Sequence, residues 1–317
     1  MAINFLFIIL AVQHYFAHPI ENTLECYFDD EKVVTISGYS CILTDINVNV
    51  TKQTQKISIT GIHNAEKSNN DVVNIKIINS HTPFIVPEIL TEFPYIEGLE
   101  VRKCSLKRIQ AFVLSTAPSL RDVIIVDNNI PTLEHGAFEG LENLQNLLLI
   151  SNHIENIEAG AFFGLEQLNT LWLTHNRFTN LPPTTFGSLI NLRKLFITHS
   201  YLTRIDSQMI RNSTQLQQLG LSDNKINEIE STFIDELRSL KLLKLKDNVC
   251  VDEDFADAEK KIHKEDINEA LDKCFDNFVA GDQKNLETPE NSIQKIVLEI
   301  QGKFTIYSEN GDVIYSN

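Results

Sequence analysis

The chain has 317 residues, 43% of them hydrophobic, and a net charge of −16 from 43 acidic against 27 basic groups. That composition can bury a long core, and its acidity argues against nucleic acid or an anionic membrane as partner. Beyond the N-terminus no stretch is apolar for 18 residues, so neither a membrane span nor a lipid-anchor tail is expected. In chain order, Ile3 to Val12 form an apolar run of signal-peptide length followed by Ala17, which predicts a secretory leader over residues 1–17. Residues 18–71 then read as an N-terminal cap whose strand-like segment holds Cys26 and Cys41. Asn49 with Thr51 fits the N-glycosylation acceptor pattern.

From residue 72 to 249 a phrase LxxLxLxxNxL returns every 24 residues, opening at Leu120, Leu144, Leu168, Leu192, Leu216 and Leu240. One full copy is Leu144, Leu147, Leu149, Asn152 and Ile154; with looser copies beginning at Val72 and Ile96, about eight repeats fit. A fixed period of this length predicts a stacked solenoid. The second half of the repeat also recurs, as Phe138, Phe162 and Phe186, until Ile210 takes the Phe position and Ser213 the closing Leu. Asn at the ninth position sits where each turn leaves its strand and can satisfy backbone groups of neighbouring turns. Ser80, Cys104 and Ser200 replace it, so that ladder should be weaker there. Asn212 with Thr214, on the far side of a repeat, is a second acceptor pattern for N-glycosylation.

After the repeats, Cys250 and Cys274 bracket a segment with Phe255, Ala258, Ile262 and Leu271 near helical spacing, which predicts a C-terminal cap over residues 250–280. In an oxidising compartment the four cysteines read as one disulfide per cap, and Cys104 as a buried thiol. Residues 281–317 read as a polar linker around Pro289 and then short strands at Ile296–Ile300, Lys303–Tyr307 and Asp312–Tyr315, the last two joined by a tight turn at Asn310–Gly311. Residues 251–317 hold 16 acidic against 7 basic groups, more than half of the net charge.

These repeats resemble the extracellular, 24-residue class of leucine-rich repeat protein, as found in secreted insect proteins and in Toll-type receptor ectodomains. The resemblance implies an α/β solenoid: a leucine-rich repeat horseshoe with a parallel β-sheet on its concave side and cysteine-closed N- and C-terminal caps. It also implies a secreted, non-catalytic recognition protein, in immunity or extracellular signalling. Its ligand would be an extracellular protein, peptide or glycan.

Residues at equal offsets then form columns on the concave face. The fifth-position column includes Ile124, Leu148, Trp172 and Phe196, and the seventh includes Arg102, Val126, Ile150, Thr174 and Thr198. Ile124, Val126, Leu148, Ile150, Trp172 and Phe196 are thus expected to face outward although apolar, with Arg102, Thr174, His175, Thr198 and His199 as a polar rim. Such a patch either binds a ligand or is covered by a loop, by the tail or by a second copy of the chain in a homodimer. His175 and His199 share the eighth position of adjacent repeats, but Ser151 and Asp223 continue their column, so no third metal ligand stands in register and no metal or other cofactor is expected. No phosphate-binding glycine loop, HExxH helix or nucleophile elbow occurs, so no enzymatic role is expected. The alternative to recognition is a structural, adhesion or matrix protein whose concave patch forms a homo-oligomer contact.

Overall fold

A computed structural model describes residues 22–48, 57–64, 66–256, 264–287, 296–298, 304–307 and 313–316. The proposed leader and Asn49 lie outside them. The N-terminal region contains β1 (Asn22–Glu25), β2 (Tyr27–Val33), β3 (Ile36–Thr44) and β4 (Ile57–Thr60). The repeats supply β5 (Asn74–Ile78), a short helix α1 (Pro87–Thr91), β6 (Gly98–Arg102), β7 (Asp122–Val126) and β8 (Thr132–Leu133). They continue with β9 (Asn146–Ile150), β10 (Asn156–Ile157), β11 (Thr170–Trp172), β12 (Lys194–Phe196), β13 (Arg204–Ile205), β14 (Gln218–Gly220), β15 (Glu228–Ile229) and β16 (Leu242–Lys244). Next come β17 (Asp254–Ala256), α2 (Lys264–Glu287) and a three-stranded antiparallel sheet of β18 (Ile296–Leu298), β19 (Phe304–Tyr307) and β20 (Val313–Ser316).

The long sheet follows the 24-residue ruler. Leu147 pairs with Leu171, Leu171 with Leu195, Leu195 with Leu219 and Leu219 with Leu243, all in parallel register. Alternation within each strand sends those leucines inward, where all are fully buried. The opposite side is made of turns, 3-10 segments and two-residue strands rather than long helices. There Phe138, Phe162 and Phe186 stack with ring centroids 6.0 and 5.9 Å apart. Ile210 ends that stack, and Ser213, which replaces the closing Leu, turns its hydroxyl to Leu189 O at 3.3 Å.

The asparagine ladder explains why the ninth position is polar inside an apolar core. Asn176 Oδ1 accepts the N–H groups of Asn152 (3.2 Å) and Ile154 (3.0 Å), and its Nδ2 donates to Leu149 O and Leu173 O, both at 2.8 Å. Asn128, Asn152, Asn224 and Asn248 repeat the pattern. Where Asn is missing the ladder thins. Ser200 Oγ is buried without a hydrogen-bond partner among the described residues, and Cys104 offers only its thiol, to Ile77 O and Arg102 O at 3.2 Å each. Burial pushes the Cys104 thiol above its ordinary range, which keeps it protonated and unreactive.

Both ends are closed by disulfides, Cys26–Cys41 and Cys250–Cys274. At the C-terminal end β17 pairs antiparallel with β16, so Phe255 lies on a strand, not on the expected helix. The helix is α2, which buries Ile267, Leu271 and Cys274 against the last repeats. Its far part packs on the convex side: Phe278 lies 3.6 Å beneath the Arg204 guanidinium, and Asn277 Nδ2 donates to Asn227 O at 3.0 Å. These contacts carry α2 through Glu287, past the point where the sequence predicts a linker. Strands do follow in the tail, while the Asn310–Gly311 turn lies outside the described residues.

At the N-terminal end β2 and β3 form an antiparallel hairpin, and β3 joins the long sheet by parallel pairing with β5. The tip of that hairpin bends over the concave face. Val33 is fully buried there against Ile124 and Val126, with Val34, Leu148 and Ile150 around it. Asp122 Oδ2 holds the tip by accepting Thr35 N (2.5 Å) and Thr35 Oγ1 (2.7 Å). Beneath, Lys76 Nζ lies 2.9 Å from Glu31 and 3.5 Å from Glu100. The approach is close enough that a side chain on Gly98 would run into Asn74 and Val33.

Candidate functional site

The hairpin divides the predicted patch. Ile124 and Val126, expected to face solvent, are each only 7% exposed because Val33 covers them. Arg102 is half-buried on the covered side, its guanidinium 2.8 Å from Glu100, so it does not stand beside Trp172. Sequence reasoning named cover by a loop as one alternative but could not say that this hairpin supplies it, because the two segments are some 90 residues apart in the chain; the signal available was Val33–Val34, two apolar residues at a hairpin turn.

From β9 onward the face is open. Trp172 is 37% exposed and Phe196 half-buried, their ring centroids 5.1 Å apart. Leu148 and Ile150 are half-buried and bridge this pair to the hairpin cluster. The Phe196 ring reaches over the next strand because residue 220 is glycine: a Cβ there would meet the ring. Thr174 and Thr198 sit beside the aromatic pair, half-buried, with their hydroxyls 3.3 Å apart.

On one flank lie the eighth-position residues. His175 and His199 are exposed, their rings 4.3 Å apart, and His199 Nε2 is 3.4 Å from Asp223 Oδ2. Their backbones have φ of 57° and 53°, and every eighth-position residue from Asn79 to Asp247 shares this left-handed turn. That conformation favours Asn, Asp and His over branched side chains, so it accounts for the residue types in the column without a ligand. Among the described residues no group of three or more His, Cys, Asp or Glu could hold a metal ion. The other flank is a shelf of amides around Gln145, Asn146, Asn169 and Asn191, with Arg193. Asn212 is exposed on a convex turn, away from this face, and its amide donates to Gly187 O at 2.9 Å.

Two segments, residues 118–178 and 166–226, match the family model described as leucine rich repeat. These are leucine-rich repeats. Their fold is also that of 393 solved chains, among them a complex of TLR13 with ssRNA13, matched at a TM-score of 0.52 and 22% identity. That match covers 64% of this chain and 33% of the other, so the leucine-rich repeats here correspond to about a third of that protein's length, and the likeness is one of fold. No curated protein matches the sequence. Among the described residues no helix is long and apolar enough to cross a membrane.

Proposed function

We propose that this chain is a non-catalytic recognition protein that binds a macromolecular ligand on the open part of its concave face, centred on Trp172 and Phe196. One observation carries the reading: the chain's only tryptophan stands partly exposed and in tilted ring contact with Phe196, on the open stretch of sheet that the hairpin leaves bare. Large aromatic side chains left in water on an ordered sheet are typical anchors of a binding surface. Covering each would contribute about 1.5–3 kcal/mol before ordering costs. Leu148 and Ile150 extend the apolar contact, while Thr174, Thr198, His175 and His199 supply hydrogen-bonding groups at its border. The disulfides and the leader-like N-terminus support a place outside the cell, with Asn49 and Asn212 as glycan acceptors, Asn212 on a convex turn away from this surface. Extracellular signalling or immunity is the role this combination suits.

Trp172→Ala with Phe196→Ala should abolish capture of a partner from extracellular fluid and leave the thermal melt nearly unchanged, because neither side chain is in the core. Undiminished capture by the double variant rejects the placement. Light scattering during size exclusion separates recognition from the structural alternative: a monomer whose tryptophan is quenched by acrylamide fits a free surface, and a stable dimer with a protected tryptophan fits a homomeric contact.

A further inference from the structure

Along the open face the charges are distributed unlike the rest of the chain. The second, third, fifth and seventh positions of β9, β11, β12, β14 and β16 and the residues flanking them make twenty positions, at which the chain as a whole would place about three carboxylates. They hold none. They hold five cations instead, Arg193, Lys194, Lys241, Lys244 and Lys246, all exposed, and none makes an ion pair with a described residue. Elsewhere some cations are paired, Lys76 with Glu31 and Glu100, Arg121 with Glu97 at 3.1 Å and Arg177 with Glu155 at 3.5 Å, and others, such as Lys103, Lys107 and Lys225, make no ion pair with a described residue, so it is the missing carboxylates that set this face apart. Carboxylates return beside it, as Asp223 and Asp247 in the eighth-position turns and as Asp254 on β17, which stands opposite Lys244 in register and whose Oδ1 is engaged by Leu245 N and Lys246 N at 2.9 and 3.0 Å.

Resting on the recognition reading above, we infer that the ligand is an acidic polypeptide segment with an apolar anchor. It would lie across the strands with its apolar part on Leu148, Trp172 and Phe196 and its carboxylates toward Lys244 and Lys246. Five cations on a stretch of sheet without carboxylates, in a chain of charge −16, give this face a local positive field that an acidic partner would complement. Adjacent strands are about 4.8 Å apart, so the span from β9 to β16 accommodates roughly six extended residues. Aliphatic Leu148 and Ile150 at one end favour peptide side chains over sugar rings. The net negative charge disfavours a long polyanion such as RNA, which feels the field of the whole molecule.

The test is fluorescence anisotropy with the full chain and a labelled synthetic peptide that has a Leu- and Phe-containing half followed by five glutamates. Saturable binding is expected. It should weaken roughly tenfold or more as salt rises from low to high ionic strength, and by a similar factor in the Lys244→Glu, Lys246→Glu variant, while Lys→Arg at both positions retains it. An unchanged melting curve shows that the charge reversal, made on exposed side chains, leaves the fold intact. No binding, equal binding of the peptide with glutamine in place of glutamate, or tighter binding of a uridine oligonucleotide or a heparin oligosaccharide overturns the inference. If charge reversal leaves capture from extracellular fluid intact while the Trp172→Ala, Phe196→Ala variant loses it, the recognition surface stands and only the acidic ligand falls.

Discussion

Asn152 and Ser200 occupy the same place in two turns of one solenoid, and they show how much a single side chain does here. An asparagine closes backbone groups of two neighbouring turns at once, whereas Ser200 is too short to reach and its hydroxyl is buried without a partner among the described residues. An unmade buried hydrogen bond costs about 1 kcal/mol or more. Ser200→Asn should therefore raise the unfolding free energy by about 1 kcal/mol, seen as a higher denaturant midpoint with an unchanged slope; a lower midpoint would mean that the site has closed around serine. The inward leucines and the ladder positions were legible from the repeat alone, since a period of 24 fixes both. The eighth position was not read for what it is. His175 and His199 invite a metal or pH argument, yet the shared left-handed φ gives the column its composition, which runs to Asn, Lys, Asp, Ser and His with no branched residue.

At the scale of elements, the β2–β3 hairpin decides which part of the sheet is open. Period and phase correctly pointed Ile124 and Val126 out of the leucine core, but phase speaks only of direction; burial depends on what a distant segment places above. Val33 supplies that cover, and Asp122 fixes the tip. Val33→Ser should loosen the hairpin, expose Ile124 and Val126 and increase binding of an apolar dye, while hydrogen exchange rises in residues 31–37 and not in β11 or β12. If exchange is unchanged, the tip is held by Asp122 alone. The α2 extension has a similar origin: Arg204 over Phe278 and Asn277 on Asn227 join residues 50 or more apart, and local composition around residue 280 reads as a linker because it contains none of that information.

For the whole molecule, stability is a sum over turns that touch only their neighbours, so the ends matter more than in a globular domain. The Cys250–Cys274 bridge closes a 24-residue separation, and α2 packs against β15 and the turn after it while β17 pairs with β16, whose Leu243 is fully buried. Replacing both cysteines by alanine should cost about 2–4 kcal/mol, with exchange protection lost first from β16 and α2 and retained at β7 and β9. Uniform loss would contradict a stack that opens from its ends. The proposed binding surface is organised on the same axis: the N-terminal hairpin covers the first strands, the aromatic pair stands in the middle, and Lys244 and Lys246, without an ion pair to a described residue, lie toward the C-terminal end. The claim that this open stretch is where a partner binds is tested most directly by a photo-crosslinking side chain placed in turn at position 196 and at position 163, an exposed phenylalanine on the convex side. Irradiation in extracellular fluid should yield a discrete adduct from position 196 and none from position 163; an adduct from 163 alone would place recognition on the opposite face.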